Sequence, residues 1–310
     1  MSRAEAAFWL LPVAAFFLAP GYLVLGSQIL IVALFALSLD LILGYAGILS
    51  LGHAAFFGVG AYTAGILAVH GWGEPLSGLL AAAIVAGAVG FAVSFLVVRG
   101  EDLSRLMVTL GLGLLLYEAA NRFADITGGV DGLSGVVTGK IFGVFSFDLA
   151  GRTAYVYSFV VLFALFVLLR RVVASPFGLA LTGVRENRTR MPALGVPVRR
   201  RLVAAFTLAA TIAGVAGALL TQTTQFVGID TLAFDRSADV LIMLVLGGTG
   251  RLYGAIIGTA VFMIARDYLS GINPVYWEFW LGFLLVVFVL FARGGILGAA
   301  DAIGRRIGRR

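Results

Sequence analysis

Residues 77–98 read SGLLAAAIVAGAVGFAVSFLVV. No charged residue occurs between Glu74 and Arg99, and roughly 20 consecutive apolar residues are enough for a helix to cross the hydrocarbon core of a bilayer. The glycines and alanines of the stretch let neighbouring membrane helices approach closely. The stretch therefore predicts a transmembrane helix that packs inside a bundle.

The composition of the whole chain extends this prediction. Of 310 residues, 61% are hydrophobic and 12% are charged, and the mean hydropathy is +1.04. Soluble proteins carry roughly 25% charged residues, so this supply is too small to cover a soluble surface. The 41 glycines indicate closely packed helices, some of them broken. The predicted fold class is an all-α polytopic membrane protein.

Apolar runs between polar or glycine-rich breaks predict about ten transmembrane segments. The candidates are 8–25, 28–43, 51–69, 77–98, 106–122, 154–171, 202–222, 237–249, 252–269 and 276–292. Of these, 51–69 and 237–249 are expected to be short or broken, which a bilayer tolerates only where protein or a cavity satisfies the backbone. Five segments before residue 130 and five after it would run in opposite orientations, a weak sign of an inverted repeat.

The basic residues predict the orientation in the membrane. With the N-terminus inside, only five of the 22 basic residues fall outside, namely Arg122, Lys140, Arg152, Arg236 and Arg266. Such asymmetry satisfies the positive-inside rule and places both termini in the cytoplasm. The net charge of +6 is then explained by orientation, and no nucleic-acid partner is expected.

Two long loops interrupt a single transmembrane domain that covers residues 1–310. The external loop, 123–153, carries Gly128, Gly129, Asp131 and Gly132, which favour a turn with positive φ and are candidates for an outer gate or a binding-protein contact. Within it, residues 141–147 alternate in polarity and predict a short hairpin or strand. The cytoplasmic loop covers residues 172–201.

The cytoplasmic loop predicts a short amphipathic helix from Pro176 to Arg190. Proline fits the first helical position, and Phe177, Leu181 and Val184 form one apolar stripe. The helix could dock into a groove on a soluble partner or lie on anionic lipid, and the residue pattern leaves both open. Its polar candidates are Arg185, Glu186, Asn187 and Arg188.

Five segments resemble the LivH/LivM family of permeases from branched-chain amino acid ABC importers. They are GYAGILSLGHAAFFGVGAY (44–62), TGGVDGLSG (127–135), SPFGLALTGVREN (175–187), VLGGTG (245–250) and YWEFWLG (276–282). They occur in order along nearly the whole chain, and they are more similar to LivM than to LivH. The loop at 175–187 resembles the segment through which these permeases couple to their ATPases.

The resemblance implies a transport subunit of a bacterial cytoplasmic (inner) membrane. The implied partners are a second, LivH-like permease, two ATP-binding subunits, a periplasmic substrate-binding protein and membrane lipid. The chain itself is not expected to be an enzyme, because a phosphate-binding loop needs a Gly-Lys-Ser/Thr sequence and the lysine in Gly139-Lys140-Ile141 is followed by neither. No cofactor or metal is expected, since the chain has no cysteine and two histidines.

Four polar residues fall in or near the predicted spans: Asp40, His53, Glu118 and Asp239. A charge there costs at least about 2.5 kcal/mol at the bilayer centre. Such residues could line the pathway or lock helices in one state, or they could make structural hydrogen bonds to neighbouring helix ends. Both interpretations stay open for each residue.

The family transports leucine, isoleucine and valine, and relatives on the same scaffold import urea, short amides or other amino acids. A stand-alone secondary transporter or channel is the alternative from another class. It predicts no dependence on an ATPase and a clearer ion site within the membrane.

Overall fold

The computed structural model describes residues 3–100, 102–291 and 294–299. The helices are α1 Arg3–Leu18, α2 Leu23–Asp40, α3 Ala54–Val69, α4 Pro75–Arg99, α5 Asp102–Arg122, α6 Ala124–Thr127, α7 Arg152–Ala174, α8 Pro176–Glu186, α9 Val198–Thr224, α10 Phe234–Gly247, α11 Leu252–Ile272 and α12 Trp277–Phe291.

Helices α2 and α9 form the centre of the bundle. Helix α9 packs against α2, α3 and α4, while α2 also contacts α7, α10 and α11. The most apolar window of α9 is 72% buried, and that of the span containing α2 is 67% buried, compared with 22% in α5. The outer helices therefore present most of their apolar surface outward, as expected where lipid or another membrane subunit is the surrounding medium.

The described residues confirm an all-α membrane protein. Six helical spans are long and apolar enough to cross a membrane: Pro20–Tyr45, Pro75–Arg99, Leu103–Arg122, Arg152–Ala174, Val198–Thr224 and Leu252–Ile272. Three further apolar helices are shorter: Ala7–Leu18, Ala54–Val69 and Trp277–Phe288. The count of ten crossings stays a prediction, because α3, α10 and the terminal helices are too short for length alone to decide.

The two segments expected to be short are short. Helix α3 has 16 residues and α10 has 14, so at 1.5 Å per residue they extend about 24 and 21 Å, less than the ~30 Å hydrocarbon core. Each follows a segment in which the α-helical structure is interrupted. Helix α2 ends in a π-helical turn, Leu41–Tyr45, and an irregular segment then leads to α3. A 3-10 turn, Ile229–Leu232, lies between α9 and α10.

The short hairpin or strand predicted at 141–147 is reduced to a single turn. One isolated bridge joins Ile141 to Phe145, closing a tight turn. The alternating side chains Phe142 and Val144 are 74% and 70% exposed, so neither packs on a core. Ile141, by contrast, is 8% exposed and belongs to the core, and Phe147 packs against the same core.

Part of the predicted cytoplasmic charge lies outside the described residues. This applies to Arg293, Arg305, Arg306, Arg309 and Arg310, and to the last residue of the predicted span 276–292.

Candidate functional site

The two short helices begin next to each other in the middle of the bundle. The backbone N–H of Ala54, the first residue of α3, donates to Ser237 Oγ in the first turn of α10 at 2.9 Å. From there the helices diverge. The residues after α3 reach the external loop, where Gly139 N donates to Gly73 O at 2.7 Å. The turn after α10 reaches the opposite end, where Gly250 N donates to Asp40 Oδ1 at 2.7 Å.

A small pocket lies where these helices begin. Its volume is about 230 Å³, below the roughly 300–1,000 Å³ of sites for drug-sized ligands. Helix α5 forms the opposite wall. The lining residues are Leu51, Gly52, Leu110, Gly113, Leu114, Tyr117, Leu232, Ala233, Phe234, Asp235 and Ser237. The wall is mainly apolar with a few polar groups, as expected for a site that binds a small solute.

The helix starts give this pocket an electrostatic character. The first N–H groups of a helix carry a positive partial charge and attract anions. Neither His53, which precedes α3, nor Ala233, which precedes α10, caps its helix with a side-chain hydrogen bond. Asp235, in the first turn of α10, lines the same pocket and is exposed. The first N–H groups of α3 are already bonded, since Ala54 N donates to Ser237 Oγ and Ala55 N donates to Gly52 O. The pocket therefore offers the N-terminus of α10 for a carboxylate and the Asp235 carboxylate for an ammonium group.

His53 lies behind this pocket in a closed environment. Its side chain is 1% exposed, and Nε2 lies 2.8 Å from Ser38 Oγ of α2. The ring stacks on Phe35 with a centroid distance of 5.4 Å. These contacts fix the start of α3 against α2.

Asp40 is fully buried at the end of α2. Besides its bond from Gly250 N, it lies within electrostatic reach of the Arg185 guanidinium. It therefore connects the α2 end with the turn between α10 and α11.

The other two polar candidates lie near the surface. Glu118, on α5, is exposed. Asp239, on α10, has 37% of its side chain exposed and lies 3.9 Å from Arg266 of α11. The four predicted residues thus do not form one cluster.

The external loop forms the expected glycine turn. Gly128, Gly129 and Gly132 have φ values of +78°, +58° and +77°, and Asp131 between them is exposed. A side chain at Gly132 would meet the Phe226 ring at 2.6 Å. Leu133 N donates to Val227 O at 2.8 Å, so the turn is tied to the segment that leads into α10.

Helix α8 begins as predicted and ends earlier than predicted. Ser175 Oγ accepts from Phe177 N at 3.2 Å, and Pro176 occupies the first turn. The helix ends at Glu186 rather than at Arg190. The Asn187 side chain accepts from Arg190 N at 3.0 Å, and such local bonds compete with helical ones. Asn187 and Arg188 therefore lie beyond the helix, and Arg188 Nη2 donates to Val98 O at 2.9 Å.

The apolar stripe of α8 faces the protein's own core. Leu181 is fully buried and Val184 is 4% exposed, while Phe177 is partly buried against the same core with Arg201 over its ring at 5.5 Å. The face that α8 leaves open carries Leu179, which is 69% exposed, and Glu186. Sequence periodicity located the stripe but could not show which surface it covers.

Sequence reasoning missed the pocket residues Tyr117, Asp235 and Ser237. Asp235 had one usable signal, because an acid in the first turn of a helix that follows a break is typical of a helix terminus at a site. The α5 residues that line the pocket had no such sequence signal, because their position depends on how the helices cross.

The chain forms a bundle of membrane helices, and the helical structure is interrupted before α3 and before α10, next to one small pocket with a few polar groups. This arrangement is that of a multi-pass membrane permease. The family described as the permease component of branched-chain amino acid transport systems matches residues 22–291, and the chain belongs to this family. It is a permease subunit of an ABC importer, as the sequence predicted.

Curated relatives include both members of a permease pair. The chain is 30% identical over 309 residues to the high-affinity branched-chain amino acid transport system permease protein LivM of Escherichia coli (strain K12), covering 91% of this chain and 71% of that protein. It is 24% identical over 293 residues to LivH of the same strain, covering 87% and 92%. It is 26% identical to a probable LivM of Methanocaldococcus jannaschii, covering 83% and 87%. No solved structure matches the chain.

Proposed function

We propose that this permease imports branched-chain amino acids across a bacterial cytoplasmic membrane. The substrate comes from an external binding protein, and partner subunits hydrolyse the ATP. The names of the relatives support the substrate class. The observation that carries the proposal is the pocket at the starts of α3 and α10, because its apolar wall suits an aliphatic side chain and its polar ends suit a zwitterion.

The proposed topology has ten crossings in one permease domain of residues 1–310, with both termini cytoplasmic. Helices α3 and α10 then approach the membrane centre from opposite sides and correspond in an inverted repeat. Binding sites at discontinuous helices near the midplane are the common arrangement of such transporters.

The second permease docks on the face formed by α5 and the start of α10. This face carries Glu118 and Asp235 in exposed positions, and a carboxylate facing lipid inside the membrane is costly. Protein and a water-filled path on this side would remove that cost. The path then runs between the two permeases and includes the pocket.

The ends of the bundle are assigned to the other partners. The external loop 123–153, with Gly128, Gly129, Asp131 and Gly132, receives the binding protein or gates the outer mouth. The exposed face of α8 receives an ATP-binding subunit. The glycine turn is hydrogen-bonded to the segment before α10. A displacement of the loop by the binding protein can therefore shift the residues that line the pocket.

Filling the pocket tests this proposal. Leu114 lines the pocket and is 55% exposed, while Leu80, on α4, is 65% exposed and does not line it. In the complete transporter in liposomes, Leu114→Trp should lower ATP-driven leucine uptake about tenfold or more, since a misplaced substrate loses this much readily. Leu80→Trp is the matched control and should transport normally. Equal uptake by both variants, with equal assembly judged by co-purification of the subunits, would remove the pocket from the pathway.

A further inference from the structure

Arg185, in the last turn of α8, lies close to two glycine turns, one at the end of α2 and one after α10. Its Nη1 donates to the carbonyl oxygen of Gly44 in the π-helical turn that ends α2. A methyl group placed on Gly250, in the turn after α10, would lie 3.0 Å from the same nitrogen. One side chain of the cytoplasmic helix is thus in contact range of both glycine turns.

Asp40 completes this arrangement from inside. Its carboxylate is fully buried, accepts from Gly250 N at 2.7 Å and is attracted by the Arg185 charge. Among the described residues Asp40 Oδ2 has no hydrogen-bond partner, so the Arg185 charge offsets only part of the cost of burying this carboxylate. The pair therefore ties three segments together: the end of α2, the turn between α10 and α11, and α8.

Close glycine contacts leave little freedom in this cluster. Gly47 and Gly250 have φ values of +69° and +76°. A methyl group on Gly47 would lie 3.0 Å from Arg185 Cγ, and one on Gly250 would lie 3.0 Å from Gly44 O. The side chains of Arg185 and Asp40 lie between the closely packed segments, so displacement of α8 has to move the arginine relative to both turns or carry the turns with it.

Both turns are connected to the pocket along the chain, the first by an irregular segment and the second by the length of α10. The chain from Gly44 continues to Leu51 and Gly52, which line the pocket just before α3. The turn at Gly250 follows α10, whose first residues line the same pocket. The route from α8 to the pocket is therefore contiguous through backbone and short hydrogen bonds, as coupling between distant sites requires when a rigid element carries it.

We infer that Arg185 and Asp40 act as a coupling clamp, which transmits movement of α8 to the starts of α3 and α10. This inference rests on the proposed function in one respect, that α8 is moved by an ATP-binding subunit. Arg185 and Asp40 are positioning residues, since neither lines the pocket. They act as one unit, so removing either charge releases the clamp.

A substrate-independent probe tests the clamp. The chain has no cysteine, so Leu114→Cys places a single thiol at the pocket of the complete transporter. Its labelling rate by a maleimide, measured without nucleotide and with ATP, reports whether ATP changes the pocket. We expect the ratio of the two rates to differ from 1 by about 5-fold or more, the usual lower range of allosteric coupling.

The clamp variants should abolish that response. With Arg185→Gln or Asp40→Asn added, the labelling rate should be the same with and without ATP, and the double variant should behave like either single one. Arg185→Lys, which keeps the charge near Asp40, should restore part of the response. Arg190→Gln is the control, because Arg190 lies on the same loop with an exposed side chain and should leave the response unchanged.

Two outcomes separate the clamp from the proposed function. A full labelling response in Arg185→Gln overturns the clamp, whatever the substrate is. A normal labelling response in the wild-type background without any leucine uptake leaves the clamp in place and refutes the proposed substrate. Asp40→Asn could fail to assemble because the residue is buried. In that case the labelling responses of Arg185→Gln and Arg185→Lys still test the clamp.

Discussion

At Gly60, a methyl group would overlap the carbonyl oxygen of Gly214, and at Gly217 it would overlap that of Phe57. Helices α3 and α9 therefore cross with their backbones in contact, which glycines make possible in membrane bundles. This crossing holds the short helix α3 against the most buried helix and so sets where the pocket lies.

The substitution Gly60→Val tests that crossing. The added side chain has no space, and overpacking of this kind costs about 1–3 kcal/mol. We expect a lower melting temperature of the detergent-extracted permease and a loss of binding-protein-stimulated uptake. Gly111→Val is the matched control for the melting temperature, because Gly111 lies on a helix with no atom near the position of a new methyl group. A melting temperature for Gly60→Val equal to that of the control would contradict the crossing.

At the scale of elements, α8 separates a buried face from an exposed one. Leu179 and Leu194 are both 69% exposed on the same cytoplasmic segment, and Leu179 lies on α8. If α8 docks on an ATP-binding subunit, Leu179→Asp should weaken association of that subunit about tenfold or more, given the ~1.5–3 kcal/mol of burying a leucine. Leu194→Asp should bind normally. Pull-down of the ATP-binding subunit by membrane-extracted variants measures both.

Glu186 discriminates between a protein partner and a lipid surface for the same helix. Docking on a protein predicts that Glu186→Ala loses ATPase association, because charge-assisted hydrogen bonds contribute about 1.5–3 kcal/mol. Contact with anionic lipid predicts the reverse, since removing an acid would tighten the helix on the membrane and spare transport. Retention of ATPase binding and uptake by both Leu179→Asp and Glu186→Ala would remove α8 from the coupling mechanism.

Sequence reasoning succeeded for elements whose signal is local. The start of α8 followed from Ser175-Pro176, the positive-φ turn from Gly128 and Gly129, and the short helices from glycine-rich or brief apolar runs. It failed where the outcome depends on packing: the apolar stripe of α8 faces inward, the 141–147 alternation forms one tight turn anchored by Ile141, and α8 ends early at Asn187. The pocket was not predicted, because α3, α5 and α10 come together only in the folded bundle.

At the scale of the whole molecule, the proposed pathway lies between this chain and a second permease. The exposed α5 face, the open side of the pocket and the outward face of α8 each lack a covering element among the described residues. Among the described residues, the pocket is therefore enclosed on only part of its circumference. Transport is therefore expected to depend on the second permease and on ATP.

Leucine uptake by defined liposomes tests this central claim most directly. We expect ATP-dependent uptake when the chain is reconstituted with its LivH-like partner, the ATP-binding subunits and the binding protein. Uptake should stay at the background rate when the chain is reconstituted alone, with or without ATP or an ion gradient. Robust gradient-driven uptake by the single chain would contradict the account and identify a stand-alone transporter.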